Sequence, residues 1–240
     1  MAKKLRIDKV LSNLGYGSRA ELKIYCKKGM VKVNDEVILN PGTQVDTDVD
    51  KIEFNNEEVK YREFIYLMMN KPDGYISATF DKRDPIVLDL IDSSYLAFEP
   101  FPVGRLDKDT EGLLVLTNDG KLSHRVLSPK KHVPKTYYAK VEGIVTEEDV
   151  KAFEKGLTLD DGYETMSAQL KILKSEELSE IELTIHEGKF HQVKRMFESV
   201  DKKVVYLKRL SMGKLILDEN LSLGEYRELT DEEVKLIEER

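Results

Sequence analysis

Between Gly112 and Thr117 the chain reads Gly-Leu-Leu-Val-Leu-Thr, an apolar run with no polar alternation. A run of that length bounded by turn residues is a buried strand. Its flanks fix what lies at either end. Ahead of it, Gly104-Arg105-Leu106-Asp107 is a glycine-bounded turn carrying an arginine and an aspartate two residues apart. Behind it, Asn118-Asp119-Gly120 is a turn or the N-cap of a helix opening at Lys121. Such an arrangement holds a carboxylate at the lip of a rigid sheet, beside a cation that keeps it ionised. Pro100 and Pro102 lead directly into Gly104 and help fix the approach.

Residues 61–240 read as one larger domain built around this strand. Ile65-Tyr66-Leu67-Met68-Met69 is a second buried strand, ending in the Pro/Gly turn of Asn70-Lys71-Pro72-Asp73-Gly74. Strands and short helices then alternate irregularly, which points to an α+β fold with a mainly antiparallel, mixed sheet. Residues 1–60 read as a small αβ module of their own. Leu5, Val10, Leu11 and Leu14 suggest a short helix ended by Gly15 and Gly17. Ser18 caps a second helix, with Glu21 as its capping-box partner, and Gly29 stops it. Val31 and Val33 form a strand, Asn34-Asp35 turns it, Val37-Ile38-Leu39 returns, and another strand pair lies near Ile52-Glu53-Phe54.

At 240 residues the chain can bury a sizeable core. No apolar run approaches a membrane span, and Met1-Ala2-Lys3-Lys4-Leu5-Arg6 has no apolar signal region behind it. The single Cys26 excludes an internal disulfide and a cysteine metal cage, so a reducing cytoplasm is the expected location. His124, His132, His186 and His191 lack ligand spacing, and there is neither a phosphate-cradling glycine loop nor a dinucleotide fingerprint. No metal or cofactor is expected.

Net charge is −7, yet the charge is unevenly spread. Residues 121–140 carry Lys121, Arg125, Lys130, Lys131, Lys135 and Lys140 with no acid. From His186 to Lys214 eight basic residues stand against three acids, and from Leu215 to Arg240 three stand against nine. Local charge decides contact with a polyanion, so the acidic tail hides two basic segments that suit nucleic acid.

Taken together, Gly104-Arg105-Leu106-Asp107, Thr110-x-Gly112-Leu113-Leu114 and Thr117-Asn118-Asp119-Gly120 resemble the signature of pseudouridine synthases of the RsuA type. The resemblance implies that Asp107 is the catalytic nucleophile. The segment from Glu187 to Phe197, with His191-Gln192-Val193-Lys194-Arg195-Met196-Phe197, is similar to the family's second motif. It implies that Lys194 pairs with Asp107, where many relatives outside this branch have arginine. A lysine offers a point charge in place of a bidentate fork. Arg195 is then a phosphate contact or a structural one. Lys135-Thr136-Tyr137-Tyr138 resembles the third motif, which assigns Tyr137 to stacking on the target uracil. Tyr138 points to the opposite side of a strand and is assigned to the core. Arg105 is expected to fill the space vacated by the flipped base.

The order Arg6-x-Asp8, Ser18-Arg19, Gly29-x-Val31-x-Val33-Asn34 resembles the S-four-type RNA-binding domain. That implies RNA contacts from Arg6, Arg19, Lys23, Lys27 and Lys28, to which the second domain adds Lys130, Lys131, Lys135 and Arg195. The implied activity is isomerisation of a uridine in ribosomal RNA to pseudouridine, in small-subunit 16S RNA on the His-Gln-Val-Lys-Arg word. Large-subunit RNA is the alternative. Ribosomal RNA, free or in an assembling particle, is the expected partner of a monomer with no membrane contact. A non-catalytic RNA-binding assembly factor is the reading from another class, and it conflicts with the presence of Asp107, Tyr137 and Lys194 together. A nucleoside hydrolase wants a second carboxylate or a metal. Asp109 is the nearby acid, and on an extended backbone its spacing aims it away.

Overall fold

A computed structural model of the chain describes residues 4–128 and 131–239. Two compact units divide it: residues up to Ile65 together with Asp92–Glu99, and Tyr66–Ile91 together with Pro100 onwards.

In the first unit, β1 (Lys4–Arg6) pairs antiparallel with β4 (Gln44–Asp46), so that Leu5 faces Val45. Leu5 therefore belongs to a strand and not to the expected helix. The loop before β4 folds back on it, and its Thr43 and Pro41 carbonyls accept the Ile7 and Asp8 N–H groups at the start of α1 (Ile7–Asn13). Helix α2 (Arg19–Lys27) is capped as its sequence demands: Glu21 N–H donates to Ser18 Oγ, and Ser18 N–H donates to Glu21 Oε2. Strands β2 (Val31–Val33), β3 (Glu36–Val37), β5 (Ile52–Phe54) and β6 (Glu57–Val59) form an antiparallel sheet in the order β3-β2-β5-β6. Asn34-Asp35 and Asn55-Asn56 make its hairpin turns with positive φ throughout, the conformation that suits Asn and Asp. Ile7, Val10, Leu11, Leu22, Cys26 and Val31 close the core beneath the two helices. Helix α3 (Ser93–Leu96) completes this unit.

The second unit is a mixed sheet of α+β type. Its strands are β7 (Tyr66–Lys71), β8 (Phe101–Pro102), β9 (Glu111–Thr117), β10 (Lys135–Glu142), β11 (Gln169–Lys174), β12 (Leu178–Ile185), β13 (Lys203–Met212), β14 (Leu215–Ile216) and β15 (Tyr226–Glu228). The path runs β11-β12-β10-β13-β9-β7-β15, with β14 on β13 and β8 on β9. Among the strands given above the only parallel pair is β9 with β13, so the sheet is mainly antiparallel. Helices α4 (Gly120–Leu127), α5 (Glu147–Lys155), α6 (Gln192–Glu198) and α7 (Asp231–Leu236) accompany it. Asp119 caps α4 by accepting the Lys121 and Leu122 N–H groups.

Strand β9 is the centre of this unit. Leu113, Leu114, Val115 and Leu116 are all fully buried, as an unalternating apolar run requires. Gly112 is what lets β13 come alongside. Its φ is +99°, and a Cβ there would collide with the Arg209 backbone. Among the described residues no helix is long and apolar enough to cross a membrane.

The basic segments do not form the continuous face that their sequence suggests. The acidic tail folds back on them: Glu238 takes Arg125 and Glu239 takes Lys214. Lys202 pairs with Asp149. Lys140 sits on the opposite face of β10 from Lys135, over the Tyr206 ring. Lys121 and Lys131 remain exposed, and Lys130 lies outside the described residues.

Candidate active site

The segment from Gly104 to Thr110 turns back on itself and is held from below. Gly104 takes φ +78°, and Thr110 N–H donates to the Asp107 carbonyl at 3.1 Å. Ser77 Oγ exchanges hydrogen bonds with the Leu106 N–H and C=O, both at 3.0 Å. Lys71, at the end of β7, is wholly buried and donates to the carbonyls of Pro72, Lys108 and Thr110 at 3.0, 3.1 and 2.8 Å. Burial pushes the Lys71 ammonium down to about 8, against the pull of Asp73, Asp109, Asp107 and Glu111. The result is a rigid support for a half-buried Asp107 side chain.

A cation meets this carboxylate from α6, though not in the expected geometry. Lys194 Nζ stands 4.0 Å from Asp107 Oδ2, while it lies 2.7 Å from both Asp109 oxygens. The Asp107–Thr110 turn bends the backbone and brings Asp109 onto the same ammonium. The assumption of an extended segment that aims Asp109 away is therefore corrected. Burial, the largest influence, pushes the Asp109 carboxyl up, but Lys194 outweighs it through hydrogen bond and charge and holds Asp109 below its usual range. His191 Nε2 is 3.7 Å from Asp107 Oδ1. His191 adopts a left-handed conformation just ahead of α6, in a loop tied by Gln192: Lys189 N–H donates to Gln192 Oε1, and Gln192 Nε2 donates to Glu187.

Asp107 and Arg105 line a cavity of about 620 Å³ that Tyr137, Lys135, Arg209 and His132 also line. That is room for a nucleoside-sized ligand. Tyr137 is buried on the inner face of β10. Tyr138 points the other way, but it is half-buried and not core: its hydroxyl donates to Glu180 Oε2 at 2.5 Å and its ring meets Tyr206 edge-on. A family model described as RNA pseudouridylate synthase matches residues 65–199, the stretch that supplies most of this cavity's lining. The chain belongs to the RNA pseudouridine synthases.

A second family model, the S4 domain, matches residues 5–50 of this synthase. Relatives align along nearly the whole chain. An uncharacterised RNA pseudouridine synthase, YtzG, of Bacillus subtilis is 51% identical over 98% of this chain and 99% of its own. Ribosomal large subunit pseudouridine synthase B of the same organism is 42% identical over 96% and 94%. Ribosomal small subunit pseudouridine synthase A of Vibrio cholerae is 39% identical over 97% and 99%. A crystal structure of a pseudouridylate synthase, 37% identical, covers 97% of this chain and 99% of its own with a TM-score of 0.68.

The synthase gathers Asp107, Arg105 and Tyr137 at one cavity, with Lys194 at its edge beside Asp107. Lys135, expected to meet phosphate at the surface, is turned inward and gives its ammonium to the Val133 carbonyl at 3.0 Å. Inward-facing positions alternate along β10, and Lys135 shares the register of Tyr137. Arg195 is bound by Asp160 and Asp161. Arg6 is held bidentately by the buried Asp8. Arg19, Lys23 and Lys27 fall at i, i+4 and i+8 on α2, and with Lys28 all are exposed.

Sequence reading gave no individual site role to Lys71, Arg209, His132 or Thr110, although Thr110 stands in the signature. Lys71 is visible as a lysine closing a buried strand. Arg209 is visible as an arginine on the inward alternation of β13, after Leu207.

Proposed function

We propose that this synthase isomerises a uridine of small-subunit ribosomal RNA, with Asp107 as nucleophile. The observation that carries the role of Asp107 is its position on a turn fixed by Lys71 and Ser77, facing a cavity with Tyr137 and beside the Lys194 ammonium. Pseudouridine formation breaks the ribose–N1 bond, rotates the base and rejoins it through C5. No atoms are gained or lost, so one carboxylate suffices. Asp109 supports the same arrangement by anchoring Lys194, and it lies outside the cavity lining. Arg105, exposed at the cavity, is suited to the space the base leaves.

The small-subunit assignment rests on the His191–Phe197 word. The 42% identity to a large-subunit enzyme favours the second reading, large-subunit RNA. Mapping pseudouridine across ribosomal RNA in cells with and without the gene decides between them. Loss of one site in 16S RNA is the expected result, and loss confined to 23S RNA overturns the assignment.

Tyr137 is the platform for the flipped uracil in this reading. Tyr137→Ala is expected to weaken substrate stabilisation by ~1–3 kcal/mol, the usual worth of base stacking on an aromatic ring. Tyr137→Phe should keep most of it. Near-wild-type activity in both variants would remove Tyr137 from the site.

Residues 1–60 hold the RNA, and residues 61–240 carry the chemistry. The Arg19, Lys23 and Lys27 stripe supports this, being a row of exposed cations on one helix face. Replacing all three by glutamine is expected to reduce the slope of log affinity against log salt by about 2, since fewer counterions are released. An unchanged slope for a ribosomal RNA fragment would assign the stripe another purpose.

A further inference from the structure

Two buried cations in the cavity have no anion in contact among the described residues. Arg209 on β13 stands directly across from Tyr137 on β10, so the two side chains are neighbours on one face of the sheet. The arginine is 1% exposed. Its Nε donates to the Leu113 carbonyl at 2.8 Å, while Nη2 is buried with no hydrogen-bond partner among the described residues. Lys135 lies two residues before Tyr137 on the same face, and the Val133 carbonyl is the acceptor of its ammonium. Burial pushes Lys135 down to about 8, helped by the charge of Arg209 and opposed by Glu187. At neutral pH it is still mostly charged. Thr110 and His132 line the same cavity, and Thr110 Oγ1 and His132 Nδ1 also have no partner among the described residues.

Holding unpaired charge and unused donors out of water is costly unless a ligand completes them. The cavity therefore wants an electron-rich guest against the Tyr137 ring. The reaction proposed above supplies one. When the C1′–N1 bond breaks, its electron pair stays with the base, which becomes a uracil anion with charge shared by N1 and its carbonyl oxygens. Asp107 takes the place of N1 on C1′ as that bond breaks. The anion then turns, C5 bonds to C1′, and the Asp107–C1′ bond breaks to return the carboxylate. The C5 proton then leaves to solvent and N1 takes one up, so atoms and electrons balance.

We propose that Arg209 and Lys135 form an anion subsite that holds the detached uracil by its carbonyl oxygens and carries its negative charge while it turns. This rests on the pseudouridine synthase reading of the cavity, and it adds a binding role for two residues outside the Asp107–Lys194 pair. Donors fixed in advance where charge develops, in a site that excludes water, are worth far more than the same donors in solution.

The test compares two flat bases of nearly one shape, uracil and 5-nitrouracil, of which only the second is ionised at neutral pH. Binding to the full-length protein is measured by calorimetry. The wild type is expected to prefer 5-nitrouracil on the order of tenfold, about 1.4 kcal/mol. Lys135→Met and Arg209→Met should each bring that ratio towards one, and Lys135→Arg should restore it. A ratio compares the same variant with itself, so a general loosening of the pocket leaves it unmoved. If Arg209→Met fails to fold, as its urea transition would reveal, Arg209→Gln serves in its place. Equal binding of both bases by the wild type overturns the subsite. So does an unchanged ratio in the variants that remove the charge, or inorganic phosphate binding as tightly as 5-nitrouracil. Conversion of uridine in ribosomal RNA is assayed in parallel. Conversion without base preference defeats the subsite alone, and preference without conversion supports the subsite while defeating the reading beneath it.

Discussion

Asp107→Asn is expected to lower pseudouridine formation by roughly a thousandfold or more, about 4 kcal/mol of barrier. The substitution keeps the shape of the side chain and removes the charge and the nucleophile. It should leave the fold and RNA affinity nearly intact. The side chain is half-exposed, and His191 Nε2 and Lys194 Nζ stand 3.7 and 4.0 Å from it, beyond hydrogen-bond length. The turn itself is built from the Asp107 backbone, which asparagine reproduces. Tritium release from uridine labelled at C5 is the assay, with filter binding to the same RNA as the control. Activity within about tenfold of wild type would remove Asp107 as nucleophile. A large loss of RNA affinity in the same variant would mean that the carboxylate organises the binding surface instead.

The parts of this site that sequence makes legible are those built from neighbouring residues. The buried strand at Leu113–Leu116, the cap at Asp119 and the capping box of Ser18 and Glu21 are each written in a few consecutive positions. What escapes is decided by residues distant in the chain. Whether Asp109 faces Lys194 depends on the bend at Asp107–Thr110, and that bend is held by Lys71 and Ser77, some thirty residues earlier. Leu5 reads as helix because its periodicity fits, until β4 arrives from the far side of the module to claim it. The charge pattern misleads for the same reason. Glu238 and Glu239 lie far from Arg125 and Lys214 in sequence yet pair with them in space. Lys135 and Arg209, which a count of charges assigns to the surface, are turned inward by the alternation of their strands. Period-two alternation is a local signal, so these two were in principle readable. A basic residue on the inward register of a strand marks a pocket.

Lys71→Met tests whether the support beneath Asp107 matters as much as the carboxylate above it. Methionine fills similar space but leaves three carbonyls, those of Pro72, Lys108 and Thr110, without their shared donor. The expected cost in stability is roughly 3–5 kcal/mol, from lost charge-assisted bonds and buried carbonyls left short of a donor, although that of Lys108 keeps the Gly74 N–H. Two of those carbonyls belong to the turn that carries Asp107. Loosening it should cost about a hundredfold in turnover, as a misplacement near 1 Å does elsewhere. A pH series separates this from simple loss of packing. The folded-state value of Lys71 is about 8, below the ordinary 10.5 it regains on unfolding. Between those values the unfolded chain binds one more proton than the folded one, so this lysine makes stability rise with pH across the window. The slope is at most about 1.4 kcal/mol per pH unit. Below pH 8 both states are protonated and its contribution is flat. In urea titrations from pH 8 upward, the wild type should therefore gain stability relative to Lys71→Met, and the gap between them should widen. A gap that stays constant with pH would mean that the buried lysine keeps its ordinary ionisation, and that the turn is held by something other than this charged, desolvated donor.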